Sequence, residues 1–175
     1  MATETTLSFE RGLLALELLH PDSKLGRLQW LAKHINPDDL YFFQDGELSQ
    51  SLFHEILDAY IAGLDLAVCV LGFTFIERSI AGRLSHIGAS VAAKGRSGQL
   101  LAEALRRGWL SQEEYSTLDN LRLNRNPLVH FKDRLEVSRP EIRAIMNAKS
   151  TKELLATEAR LIVQAVFTVL KKTSL

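Results

Sequence analysis

Cysteine is almost missing from this 175-residue chain, which has Cys69 alone. One thiol closes no internal disulfide, so nothing points to a secreted, oxidising setting. Cys69 falls in the apolar run 67–71, where a small buried hydrophobe is expected. Net charge is missing as well: 21 basic and 21 acidic side chains give a formal charge of zero. No global field therefore draws the chain to nucleic acid or anionic lipid. The start, Met1-Ala2-Thr3-Glu4, lacks a basic stretch followed by an apolar one, so no signal peptide is read and a cytoplasmic location is expected. There is no G-x-x-x-x-G-K-[ST] phosphate cradle and no Cys/His cluster with metal-ligand spacing, so neither a metal nor a cofactor is expected. His20, His34, His54 and His86 are scattered, and His54-Glu55 lacks the second histidine of a zincin pattern. No alternating apolar pattern bounded by turns predicts a strand, and no internal repeat or low-complexity tract occurs.

Helical periodicity runs from end to end and predicts an all-α bundle. Residues 7–19 read as a short amphipathic helix stopped at His20-Pro21, and 23–35 as another. Asn36-Pro37-Asp38-Asp39 supplies a cap, a proline at the first position and two acids that suit the helix dipole. Tyr41-Phe42-Phe43 is an aromatic cluster expected to pack. A long helix is predicted over 51–93, bent near Gly63 or Gly72, and another over 97–108 ending at a glycine. Ser111-Gln112-Glu113-Glu114, Ser138-Arg139-Pro140-Glu141 and Ser150-Thr151-Lys152-Glu153 each read as a capping box. In the last helix Leu154, Leu155, Glu158, Leu161, Ile162, Ala165, Val166, Val169 and Leu170 recur at helical spacing, all apolar but Glu158. The run 56–76 is apolar enough to raise a membrane span, but Asp58 and Asp65 lie inside it. Each would cost about 2.5–3.5 kcal/mol near a bilayer centre, so a central or dimer-facing helix is expected.

Charge is unevenly spread. Residues 1–60 carry a net charge of −6 and residues 61–175 a net of +6. Six basic side chains against three acids fall within 122–143 and surround Arg125-Asn126-Pro127-Leu128-Val129-His130. Arginine is permanently cationic and forks onto phosphate; histidine gains or loses a proton near neutral pH. On an unbroken helix the two would lie about 140° apart. Pro127 lacks an N–H and disfavours helical backbone at Asn126, which predicts a kink, or a new helix with Asn126 as N-cap and N–H groups free for an anion.

This run resembles the R-x4-6-H signature of HEPN domains (higher eukaryotes and prokaryotes nucleotide-binding), in which Asn, Asp or His is preferred directly after the arginine, as Asn126 is here. The resemblance extends over roughly residues 51–170 and leaves 1–50 unmatched, which divides the chain into an N-terminal helical extension (1–50) and a HEPN-like helical bundle (51–175). It implies an endoribonuclease that needs no metal. His130 would move the proton at the ribose 2′-OH or the leaving 5′-oxygen, and Arg125 would neutralise the phosphorane. Asn126 would cap or hold Arg125, and the products would be a 2′,3′-cyclic phosphate and a 5′-hydroxyl. An acidic residue on the family's long helix commonly stands near the signature, and Glu77 is the matching position here, able to orient Arg125 or tune His130. HEPN domains commonly form homodimers with motifs facing each other, which would supply the second proton-transfer group. A role as a toxin or defence component follows by the same resemblance, with RNA as partner and an antitoxin or nucleotidyltransferase as a further one. In toxins paired with a nucleotidyltransferase the motif often continues H-x-Y; here it continues His130-Phe131-Lys132. Lys132 has no phenol to accept a nucleotide. The alternatives are a non-catalytic HEPN-like module that binds a nucleotide or a protein, and a plain helical interaction domain.

Overall fold

A computed structural model describes residues 20–35 and 41–174. The helix expected over 7–19 and the cap expected at Asn36 to Asp39 lie outside the described residues. Among the described residues the protein is all-α: α1 Lys24–Ala32, α2 Glu47–Ala62, α3 Asp65–His86, the single turn α4 Ser90–Ala93, α5 Ser97–Arg106, α6 Gln112–Val129, α7 Pro140–Met146 and α8 Thr151–Thr173. None of these helices is long and apolar enough to cross a membrane.

α3 is the centre of the bundle and packs most extensively against α8 and α2. Its Val68, Phe73, Phe75, Ile76, Ile80 and Leu84 are almost wholly buried, as are Ile162, Val163, Val166 and Leu170 of α8. The predicted long helix is instead two. Gly63 adopts the left-handed conformation (φ 76°), and the Leu64 N–H reaches back to the Ala59 carbonyl, closing α2 with a Schellman-type turn. A bend at Gly72 is not what that glycine provides. A Cβ there would collide with Ile162, so its missing side chain lets α8 lie directly on α3. α3 also stops at His86, ahead of Gly88 (φ 78°), instead of reaching residue 93.

The capping boxes at Ser111/Glu114 and Ser150/Glu153 form as expected. The third does not. Arg139 is the N-cap of α7, Pro140 takes the first position, and the Ser138 hydroxyl donates to Glu136. Proline at the start of a helix suffices without a serine cap. Cys69 is buried, and that burial pushes its thiol up to about 12, as suits a packed apolar side chain.

A buried arginine and a half-buried one secure the periphery. Arg27 of α1 forks onto Asp65 in the first turn of α3 (2.6 and 3.0 Å) and donates to the carbonyls of Tyr60 and Asp22. Arg143 of α7 binds Glu158, the lone acid of the apolar stripe on α8, and donates to the Ser138 carbonyl at 3.1 Å. Tyr41 and Phe43 pack on Phe53, while Phe42 stays exposed.

Candidate functional site

The motif sits at the end of α6. Leu118 and Leu121 bury one side of this helix, and the Ser111/Glu114 box begins it, with the Ser111 N–H donating to Glu114 (2.7 Å) and the Glu114 N–H to the Ser111 hydroxyl (3.1 Å). The expected new helix at Asn126 is absent. α6 runs through Pro127 to Val129, and His130 is its C-cap in extended conformation, with its N–H donating to the Asn126 carbonyl at 3.0 Å. The reason is position. Pro127 stands in the last turn, so its missing N–H deprives only the carbonyl of Leu123, a residue half open to solvent. No helix N-terminus forms at Asn126, so the extra N–H groups expected there do not exist. Asn126 contributes its backbone carbonyl, and its side chain makes no hydrogen bond among the described residues.

An unbroken α6 keeps Arg125 and His130 on different sides. Arg125 turns inward, 17% exposed, with its guanidinium carbon 5.9 Å from the Phe73 ring centre and Nη2 3.9 Å from Glu77 Oε2. Its Nε is buried with no hydrogen-bond partner among the described residues. Glu77 in turn accepts from the Ser97 hydroxyl at the first position of α5. Thus Glu77 and Arg125 are brought together, with Ser97 as a third member that spacing in the sequence gave no means to find.

His130 is exposed and lines a hollow of about 270 Å³ with Leu66, Phe131, Lys132, Arg139, Pro140 and Leu155 among its walls. Leu66 and Glu77 are eleven residues apart on α3, which at 1.5 Å per residue is about 16 Å. No hydrogen bond or ion pair joins Arg125 to His130 among the described residues, and the two do not share this hollow. Larger hollows, of about 480 and 650 Å³, lie along α6 and α8 and beneath Asp22 and Arg27, and none of the four predicted site residues lines either.

The local excess of positive charge is largely matched in the folded chain. Arg122 pairs with Asp119 (2.7 Å), Lys132 with Glu136 (2.9 Å), Arg139 with Glu141 (3.1 Å) and Arg143 with Glu158; Arg134 makes no ion pair among the described residues. Lys132 holds the Glu136 carboxyl below the usual range, as Arg139 does that of Glu141. No group of three or more His, Cys, Asp or Glu side chains could hold a metal ion among the described residues. What the arrangement offers chemically is an exposed imidazole beside a cation-rimmed apolar hollow, and a separate, half-buried guanidinium with a spare donor. No protein-family model, no curated protein and no solved structure matches this chain.

Proposed function

We propose that the chain is a HEPN-type endoribonuclease that cleaves RNA as a homodimer without calling on a metal. The observation that carries this reading is His130. The imidazole stands in solvent at the mouth of a hollow that also holds an aromatic ring and two cations. Transphosphorylation needs a base to take the 2′-OH proton and an acid to give one to the departing 5′-oxygen. The new 2′-O–P bond forms as the P–O5′ bond breaks, leaving a 2′,3′-cyclic phosphate and a 5′-hydroxyl. One His130 supplies one of these transfers, and a second copy supplies the other.

Within one chain Arg125 and His130 serve different places. In the dimer, Arg125 of one copy and His130 of the other would meet at the shared cleft, with Arg125 steadied by Glu77 and stabilising the negative phosphorane. The exposed apolar Leu135 and Val137, in the loop that follows the motif, supply surface for such a contact. Activity in the cytoplasm as a toxin or defence component, held in check by an antitoxin, belongs to the same proposal. Nucleotide transfer onto position 132 does not, because Lys132 offers no phenol.

One observation favours a second reading. Arg125 leans on Glu77 and Phe73 and not into the hollow of His130, as a structural arginine in a non-catalytic nucleotide- or protein-binding module would. Incubation of the purified protein with RNA separates the two. Cleavage is expected to persist in EDTA and to fall by at least about 10²–10⁴-fold in His130→Ala. Equal cleavage by His130→Ala would remove the site assignment, and an inert wild type would leave the binding module as the better reading.

A further inference from the structure

We infer that the hollow beside His130 is a base-binding subsite, in which Phe131 receives one unpaired nucleobase adjoining the phosphodiester that His130 faces. The inference rests on the reading of this site as one that takes RNA. Phe131 is 90% exposed, so the fold gains almost nothing from the ring, yet it forms a wall of the hollow. Leu66, Pro127, Leu128, Pro140 and Leu155 supply the apolar remainder. The volume, about 270 Å³, lies just under the range of about 300–1,000 Å³ typical of drug-sized ligands, the scale of one nucleotide.

Charge completes the fit. Lys132 and Arg139 stand on the same walls, each tied to a carboxylate in a partly exposed pair. Such pairs contribute little, so a phosphate can take over Lys132. Glu141, the one carboxylate lining the hollow, is neutralised by Arg139. Aromatic stacking accepts any base face but needs the base to be free, so the subsite selects single strands over duplex. The competing occupant is a protein surface, since Leu135 and Val137 are also exposed in the same loop. Neither of those lines the hollow, and Phe131 does.

The test is fluorescence anisotropy of the full chain with a labelled 2′-fluoro decamer, which cannot be cleaved through a 2′-oxygen. The single strand is expected to bind more tightly than the same strand annealed to its complement. Phe131→Ala should weaken it about ten- to hundred-fold with an unchanged melting temperature, Phe131→Trp should restore it, and Phe131→Leu should not. Equal binding of duplex, rescue by leucine, or an unchanged affinity accompanied by a change in sedimentation would each overturn the subsite; the last would assign Phe131 to a protein interface. A wild type that binds through Phe131 but cleaves nothing sinks the ribonuclease reading and leaves the subsite standing. A wild type that cleaves while Phe131→Ala binds and cleaves equally well sinks the subsite alone, and a wild type that neither binds nor cleaves sinks both.

Discussion

Arg143 and Arg125 are equally buried, at 16% and 17% exposed, and each faces a glutamate on a core helix. They differ in how fully their donors are used. Arg143 closes directly on Glu158 and donates to the carbonyls of Ser138 and Asn124. Arg125 stands 3.9 Å from Glu77 and keeps a buried Nε with no partner. Burial alone therefore does not separate the two; they differ in how many donors remain unused, a feature Arg125 shares with Arg160, whose Nε is also buried without a partner among the described residues. A saturated guanidinium has nothing left for a ligand, while one with a spare buried donor pays a desolvation cost that a ligand oxygen would offset.

The sharpest way to break this comparison is to remove both side chains in turn. Arg143→Ala leaves Glu158 as an uncompensated carboxylate in the core stripe, at a cost of about 3–5 kcal/mol. At about 2–4 °C per kcal/mol for a chain of this size, thermal unfolding should shift down by about 6–20 °C. The double variant Arg143→Met/Glu158→Leu should recover most of the loss, because no buried charge remains. Arg125→Ala should lower stability far less while removing RNA cleavage or binding, and Arg125→Lys should rescue poorly, since an ammonium lacks the guanidinium fork. A comparable melting loss in both alanine variants would erase the distinction.

The contact of α3 with α8 places Glu77 and Glu158 on opposite partners. Gly72→Ala drives a Cβ into Ile162 and should cost about 1–3 kcal/mol by overpacking. The double variant Gly72→Ala/Ile162→Ala, which removes the Ile162 Cγ2 that the new Cβ would meet, should show coupling when read by chemical denaturation. Strict additivity of the two changes would mean the close approach at Gly72 does not limit the packing.

The legible parts of this molecule were those written in local chemistry. The all-α class followed from helical spacing, and the Ser111/Glu114 and Ser150/Glu153 boxes followed from residue types three apart. Glu158 also stood out in the sequence, as one acid in an apolar stripe, but its partner Arg143 lies on another helix and no spacing rule connects them. The break at Gly63 and the run of α6 through Pro127 were misjudged for a common reason. Each depends on whether a turn closes or a single hydrogen bond is dispensable, and neighbouring packing decides that. Glu77 stands 3.9 Å from Arg125, whereas Ser97, which holds Glu77, is reached only through the packing of α5 against α3.

The smallest expected effect concerns the cap that begins α6 and so sets where both motif residues stand. The Ser111 backbone N–H, with weaker help from Lys172, holds the Glu114 carboxyl below its usual range. A carboxylate whose folded pKa is depressed stabilises the fold above its unfolded value, near 4.3, and loses that contribution as pH falls through the folded value. Ser111→Ala should therefore cost about 1 kcal/mol at pH 7. Glu114→Gln should cost less, because a neutral amide still accepts the Ser111 N–H but loses the charge assistance and the helix-dipole interaction. The Glu114→Gln penalty should fade as pH falls below the unfolded value, near 4.3, and through the lower folded value, where the wild-type carboxyl also becomes neutral. Chemical denaturation at pH 7 and at low pH measures both. Because the cap lies far from Arg125 and His130 along α6, neither variant should alter the ratio of single-strand to duplex binding. A changed ratio would mean that the cap controls the motif end, and that Arg125 is held by the whole helix rather than by Glu77.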